Sequence, residues 1–246
     1  MARSHTHSQH FLRSPRLVAE LIGHSNLRKN DTVYDLGAGS GIISSVLSRR
    51  VTTVFAVEVE PKALEKLHAN VKGLNNVQII EQDILTIEPV KGKYKIFSNI
   101  PFNLSSAIIT HYTSLPNPPM SMYFIVQKQF ANKLIESRDH FTNQLGAIIA
   151  PWFTVRIRKP LKKTDFTPPP AVDTALIEIK SRAPQHTTLI PITLKQQYIE
   201  FIRHCFESKQ YFMSTDKSNT SIPPDIDRPS QLAASQWSEL FTINRT

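Results

Sequence analysis

TVYDLGAGSGIISSVLSRRVTTVFAVEVE, residues 32–60, holds two apolar runs of strand length, TVYDL and TTVFAVEV. Three glycines and an amphipathic segment, IISSVLSRR, lie between them. Gly37, Gly39 and Gly41 follow the first run directly, where a backbone without side chains turns tightly and approaches a ligand at the start of a helix. The stretch predicts a strand, a ligand-facing loop, a helix and a second strand.

The alternation continues outward. NVQIIEQD, YKIFSNI, MYFIVQ, GAIIAPWF and ALIEIK are further strand-length apolar runs, and PKALEKLHANVK and SSAIITHY carry apolar residues at helical spacing. Strands alternating with helices predict an α/β fold, a doubly wound Rossmann-like sheet that is mostly parallel with an antiparallel end. After Lys180 the pattern weakens: RAPQHTTLIP reads as a linker, ITLKQQYIEFIRHCFESK and SQLAASQWSELF as helices, and residues 214–229 as polar and proline-rich. The expected division is a main domain over 1–182 and a small helical C-terminal domain over 183–246.

The 246 residues carry a formal net charge of +9. That balance favours a polyanionic partner, nucleic acid first, because each phosphate neutralised by Lys or Arg releases counterions. RIRKPLKK, residues 156–163, reads as a proline-interrupted basic loop and supplies the candidate phosphate contacts Arg156, Arg158, Lys159, Lys162 and Lys163. A solvated face is the alternative for that run. The one cysteine, Cys205, suits a reducing compartment, and the polar start MARSHTHSQH lacks a signal peptide's apolar stretch. With no long apolar run, the expectation is a soluble cytoplasmic protein without membrane contact. No Cys or acidic residue accompanies His5, His7 and His10, so no metal site is expected.

In doubly wound sheets ligands sit beyond the carboxyl ends of the strands. Gly37, Gly39 and Gly41 are spaced G-x-G-x-G, with Ile42 where a dinucleotide loop would have its last glycine. Glu58, 23 residues after Asp35, ends the second strand, where a carboxylate accepts from both hydroxyls of a ribose and repels a 2′-phosphate. Asp83 ends the third strand and can accept from an exocyclic adenine amine while Ile84 packs the ring. A solvated acid and a helix cap are the plainer readings of these two carboxylates. Together they fit a cofactor with adenosine and no phosphate, which S-adenosylmethionine satisfies.

The fourth strand end is NIPF, residues 99–102. It matches N-[ILP]-P-[FY], the signature of methyltransferases acting on planar exocyclic nitrogens. With SQHFL (8–12), DLGAGSG, VEVE, QDIL, IVQKQF and FTPPPAVDTALIEI (166–179) in the same order, the chain resembles the ribosomal RNA adenine N6-dimethyltransferase family over nearly its whole length. The resemblance implies a methyltransferase domain using S-adenosylmethionine, with cofactor contacts from Gln9, His10, Leu12, Val59 and Asn99 beside the glycines, Glu58, Asp83 and Ile84. His10 stands where the family often has Asn, and Gln129 where it commonly has an acid. NIPF, SQWSELF and the absence of a basic R-R-K-T-L stretch look more like the Erm branch, which methylates 23S rRNA in the peptidyl-transferase centre and confers macrolide–lincosamide–streptogramin B resistance. A 16S rRNA dimethyltransferase of small-subunit assembly and a non-catalytic RNA-binding relative are the alternatives. The family suggests a monomer with rRNA as its partner.

Adenine N6 is a weak nucleophile because its lone pair is delocalised into the ring. Acceptors for both amine protons favour a pyramidal nitrogen, and the Asn99 side chain and the Ile100 main-chain carbonyl are suitable. Pro101 fixes φ beside that carbonyl. Phe102 offers a stacking face for a flipped base, worth about 1–3 kcal/mol. Phe166 resembles the family aromatic that covers the base's other face, with a buried strand residue as the alternative.

Overall fold

The computed structural model describes residues 10–135, 142–182 and 190–245. In chain order the elements are β1 (Phe11–Leu12), α1 (Pro15–Gly23), β2 (Thr32–Leu36), α2 (Ile42–Leu47), β3 (Thr53–Glu58), α3 (Pro61–Val71), β4 (Val77–Glu81), β5 (Lys95–Asn99), α4 (Ser105–Ser114), β6 (Ser121–Gln127), α5 (Lys128–Leu134), α6 (Gln144–Ile149), β7 (Phe153–Leu161), β8 (Phe166–Thr167), β9 (Thr174–Ser181), α7 (Lys195–Glu207), α8 (Lys209–Ser214) and α9 (Ala234–Asn244).

The opening stretch folds as its pattern dictates, with TVYDL as β2, IISSVL as α2 and TVFAVE as β3. Seven strands take the order β4-β3-β2-β5-β6-β9-β7. The first five neighbours pair in parallel, and β9 runs antiparallel to β6 with Ser121 opposite Lys180 and Gln127 opposite Thr174. The expected mixed, doubly wound sheet is therefore present. In β6 every residue but the last is buried, because helices cover both faces and a continuous apolar run replaces alternation. One face packs Val33, Val54, Phe97 and Ile125 with Val18 and Leu21 of α1 and Ile43 and Leu47 of α2. On the other face Tyr34 stacks on Phe55 and meets Tyr94 edge-on. A separate two-stranded sheet pairs β1 with β8, antiparallel, with Phe11 opposite Thr167 and Leu12 opposite Phe166.

Two local expectations are corrected. GAIIAPWF, expected as a strand, begins instead inside helix α6, whose N-cap Asn143 accepts from the Gly146 N–H at 2.7 Å. A short apolar run fits a buried helix as well as a strand, and the asparagine just ahead of it decides. RIRKPLKK, expected as a loop, is strand β7 as far as Leu161, with Arg156, Arg158 and Pro160 exposed and Ile157 and Lys159 half-buried between them. Its place at the end of the sheet lets it carry a proline, whose missing N–H would break an inner ladder.

The chain divides into two compact units, Met1–Gln129 with Arg156–Lys180 and Phe130–Val155 with Ser181–Thr246. The second thus takes in α6 ahead of the expected break at residue 182. Within it Tyr198 of α7 meets Trp152 and Phe241 edge-on, and its hydroxyl donates to the Ala147 carbonyl at 3.0 Å. Trp237 of α9 stacks on Phe206. No described helix is long and apolar enough to cross a membrane.

Gly41 caps α2 at φ 83°, and a Cβ there would come within 2.6 Å of Leu67 Cδ1 on α3. Gly41→Ala is expected to cost about 1–3 kcal/mol in strain and crowding, read as a lower urea midpoint at unchanged m. Gly73→Ala, at the same φ but with open space around it, isolates the backbone share and should cost less. Equal losses would show that the α2–α3 contact does not depend on this glycine.

Candidate active site

From β2 the chain winds outward through β3 to β4 on one side, then returns to lay β5 on the other. Such a reversal leaves a crevice at the carboxyl ends of the central strands. Here β2 and β5 pair only at Val33–Lys95 and Tyr34–Ile96, and further on the Leu36 N–H donates instead to the Ser98 hydroxyl at 2.7 Å. A cavity of about 330 Å³ opens at this end. The glycine loop, the ends of β3 and β5, the Asp83–Ile84 turn and the His10–Leu12 segment wall it.

Glu58 is fixed by the main chain. One carboxylate oxygen accepts from the Gly39 N–H at 2.8 Å, and the other from the Val59 and Glu60 N–H groups at 2.8 and 3.0 Å. Charge-assisted bonds of this kind hold the 7% exposed carboxylate rigidly while its remaining lone pairs face the cavity. The loop must pass close beneath: a Cβ on Gly39, at φ 56°, would stand 3.2 Å from the Phe11 ring, and one on Gly37 3.5 Å from Ile84. Asp83 is followed by a turn rather than by a helix it could cap. It lines the cavity, and one carboxylate oxygen accepts the Leu85 N–H at 2.9 Å to shape the turn.

Asn99 ends β5 as the most constrained polar group of the site. Its amide nitrogen donates to the His10 carbonyl at 2.6 Å, so its oxygen is directed the other way, and that buried oxygen has no hydrogen-bond partner among the described residues. A buried acceptor left unpaired costs about 1–3 kcal/mol, and such groups mark places where a ligand completes the bonding. Pro101, at φ −57°, starts the tight turn that presents Phe102, and its carbonyl accepts the Leu104 N–H at 3.0 Å. The Phe102 ring lies against the His10 imidazole with centroids 5.6 Å apart and planes 29° from parallel.

The family described as ribosomal RNA adenine dimethylase matches residues 2–224. The chain belongs to that family. An rRNA adenine N-6-methyltransferase of Bacillus licheniformis is 33% identical over 171 residues, 70% of this chain and 59% of the relative. A ribosomal RNA small subunit methyltransferase A of Dehalococcoides mccartyi is 30% identical over 184 residues, 70% of this chain and 60% of that one. This chain therefore spans about three-fifths of the length of these two relatives. The crystal structure of the 23S rRNA methyltransferase ErmE superposes with a TM-score of 0.80 at 21% identity, covering 96% of this chain and all of that one, which establishes a shared fold.

Among the residues expected from the adenine dimethylase pattern, His10, Leu12, Gly37, Gly39, Glu58, Val59, Asp83, Ile84, Asn99, Ile100, Pro101 and Phe102 all line one cavity. Gln9, like His5 and His7, lies outside the described residues. Gly41 is absent from the lining and serves the packing of α2 on α3. Phe166 is corrected: it is fully buried in the core with Leu12, Val18 and Leu21, outside the cavity, because pairing β8 with β1 turns its ring inward. The ring facing Phe102 is that of His10. Three of the five basic candidates already hold the fold together. Arg158 donates to the His24 carbonyl at 2.8 Å, Lys159 pairs with Glu20, and Lys163 donates to the Ala171 carbonyl at 2.6 Å. Phe11, not singled out in the sequence, lines the cavity at 41% exposure, and its neighbours in SQHFL were the signal that pointed there. Among the described residues no cluster of His, Cys, Asp or Glu could hold a metal ion.

Asp35, in β2 just before the glycine loop, is a buried acid outside the cavity lining. It is buried below the glycine loop, with one oxygen accepting the Ser44 hydroxyl at 2.7 Å and the other without a partner among the described residues. Burial, opposed by the Ser44 bonds and aided by the Glu58 charge, pushes its carboxyl up to about 7. A raised acid is protonated in the native state before it is in the unfolded chain, so its stabilising share is complete below about pH 4 and falls away up to about pH 7. That share is at most about 4 kcal/mol. Asp35→Asn has no such slope, and its melting temperature relative to wild type is expected to rise between pH 5 and 8. Parallel melting curves across that range would show that Asp35 does not titrate there.

Proposed function

We propose that this chain transfers methyl groups from S-adenosylmethionine to N6 of an adenine in the peptidyl-transferase region of 23S rRNA, giving macrolide–lincosamide–streptogramin B resistance. The observation that carries the reading is the Asn99 amide, clamped through its nitrogen so that an unpartnered acceptor remains at the end of β5 beside the Phe102 ring. An exocyclic amine is the donor such a site lacks.

The cavity suits the cofactor. Glu58, Glu60 and Asp83 line it and, among the described residues, no Lys or Arg does, which disfavours a pyrophosphate and suits a cationic ligand with ribose hydroxyls and an adenine amine. S-adenosylmethionine supplies a methyl carbon activated by a positively charged sulfur. Glu58 would accept from the ribose hydroxyls and Asp83 from the adenine amine, with Ile84 and Val59 against the ring. Asn99 Oδ1 would accept one proton of the target amine and the Ile100 carbonyl the other, which would withdraw the nitrogen lone pair from the ring and leave it available for methyl transfer. Phe102 holds the target ring by stacking, and positioning rather than a strong base provides the acceleration. The displaced N6 proton passes to water. Arg156, Arg158, Lys159, Lys162 and Lys163 serve as phosphate contacts, those with internal partners through their spare donors.

NIPF and SQWSELF support the 23S target. The likeness to a small subunit methyltransferase of Dehalococcoides mccartyi favours 16S rRNA as the second reading. Incubation with labelled cofactor and protein-free 23S or 16S rRNA, followed by nucleoside analysis, separates them: N6-methylated adenine in 23S rRNA is expected, label in 16S rRNA alone selects the second reading, and no methylated adenine in either sinks both. Asn99→Ala is expected to lower the rate by at least about 100-fold, the range seen when a positioned hydrogen-bonding group is removed, with RNA binding retained. Rising macrolide tolerance in a susceptible bacterium expressing the chain checks the resistance claim.

A further inference from the structure

His10 makes three contacts, two of them with residues of the site. Its main-chain carbonyl receives the Asn99 amide nitrogen at 2.6 Å. Its imidazole lies on the Phe102 ring, centroids 5.6 Å apart. Its Nδ1 is 2.9 Å from the Pro168 carbonyl. A carbonyl only accepts, so Nδ1 carries the proton of that bond. The residue is held in register by its neighbours: β1 pairs with β8, the Arg13 N–H donates to the Asp165 carbonyl at 3.0 Å, and the Arg13 guanidinium donates to the Thr167 hydroxyl at 2.9 Å and the Thr164 carbonyl at 3.3 Å.

A planar, nitrogen-bearing ring lying on Phe102 does what a target base would do there. The two cannot share that face, because inserting a base between stacked rings needs about 7 Å between the outer planes, twice the 3.5 Å contact distance of carbon atoms. We infer that the His10 imidazole is a removable occupant of the base-stacking face of Phe102, while the same residue's main chain holds Asn99 in its accepting orientation. The inference rests on the methyl-transfer reading for the identity of the displacing ring. His10 is then a positioning and selectivity residue. Its main chain sets the amide before any base arrives, and its ring admits only a base whose stacking and amine contacts exceed those it displaces. An Asn at this position, as is common in the family, keeps the main-chain contact and a donor for Pro168 but has no ring to displace.

Histidine-selective NMR tests the contact without any reaction. The ring-proton signals that disappear in His10→Asn belong to His10, and in the wild type they should lie upfield through the Phe102 ring current. Phe102→Leu should move them downfield, as should an excess of an adenine-rich RNA hairpin added to wild type saturated with S-adenosylhomocysteine. Signals indifferent to Phe102→Leu, or unmoved by the hairpin when fluorescence reports bound RNA, would overturn the proposal. A complementary measurement uses the hairpin with 2-aminopurine in its loop. His10→Asn and His10→Ala should bind the unstacked base about 2- to 12-fold more tightly than wild type, the equivalent of one aromatic pair. Equal or weaker base binding in both variants overturns it as well. If no rRNA is methylated in the labelling assay, the proposed activity fails, while the NMR comparison still decides whether the His10 ring occupies Phe102.

Discussion

The site depends on one side-chain bond between two neighbouring parallel strands. β2 and β5 form backbone bridges at Val33–Lys95 and Tyr34–Ile96, and beyond them the Ser98 hydroxyl takes the Leu36 N–H. A buried peptide donor left without a partner is costly, and a side chain small enough to sit inside the sheet satisfies it. Asn99 at the end of β5 and the glycine loop at the end of β2 then line one cavity. The loop's close course brings the Gly39 N–H to Glu58, so one backbone path shapes both the floor of the cavity and its main carboxylate.

Much of this was legible because strand ends in a doubly wound sheet carry their chemistry in a few residues. Glu58 and Asn99 end β3 and β5, Asp83 lies two residues beyond β4, and all three line the cavity. Other features required the partner element to be known. Gly41 looks like its two neighbours in sequence, and only Leu67 of α3 shows that it is a packing glycine. Phe166 precedes three prolines, and which way its ring turns depends on a strand more than 150 residues earlier. GAIIAPWF is short and apolar enough for either helix or strand. In RIRKPLKK the five charges and the proline mask the alternation of Arg156, Ile157 and Arg158, which is the two-residue period of a strand.

The basic excess is likewise less uniform than a net charge suggests. Lys95 is almost buried and pairs with Asp31 at 2.7 Å, while Arg158 and Lys159 bind a carbonyl and a carboxylate of the α1 region. Part of the positive charge is thus internal cement, and a count of Lys and Arg overstates what a polyanion meets. Partly screened pairs at the surface contribute little to stability, so their role is chiefly to set the course of β7 along the sheet edge.

The pairing of residues 11–12 with 166–167 also sets an order of events during synthesis. β2 to β6 can form their parallel ladders while later residues are still on the ribosome, but one wall of the cavity has nothing to pair with until β8 has emerged. Joining ends so far apart in sequence is slow in entropic terms, and the emerging chain gains that contact late. A nascent or truncated chain would thus hold the glycine loop and Glu58 without the His10 carbonyl that orients Asn99. Acquisition of a competent site is thereby timed to the near-completion of the first compact unit.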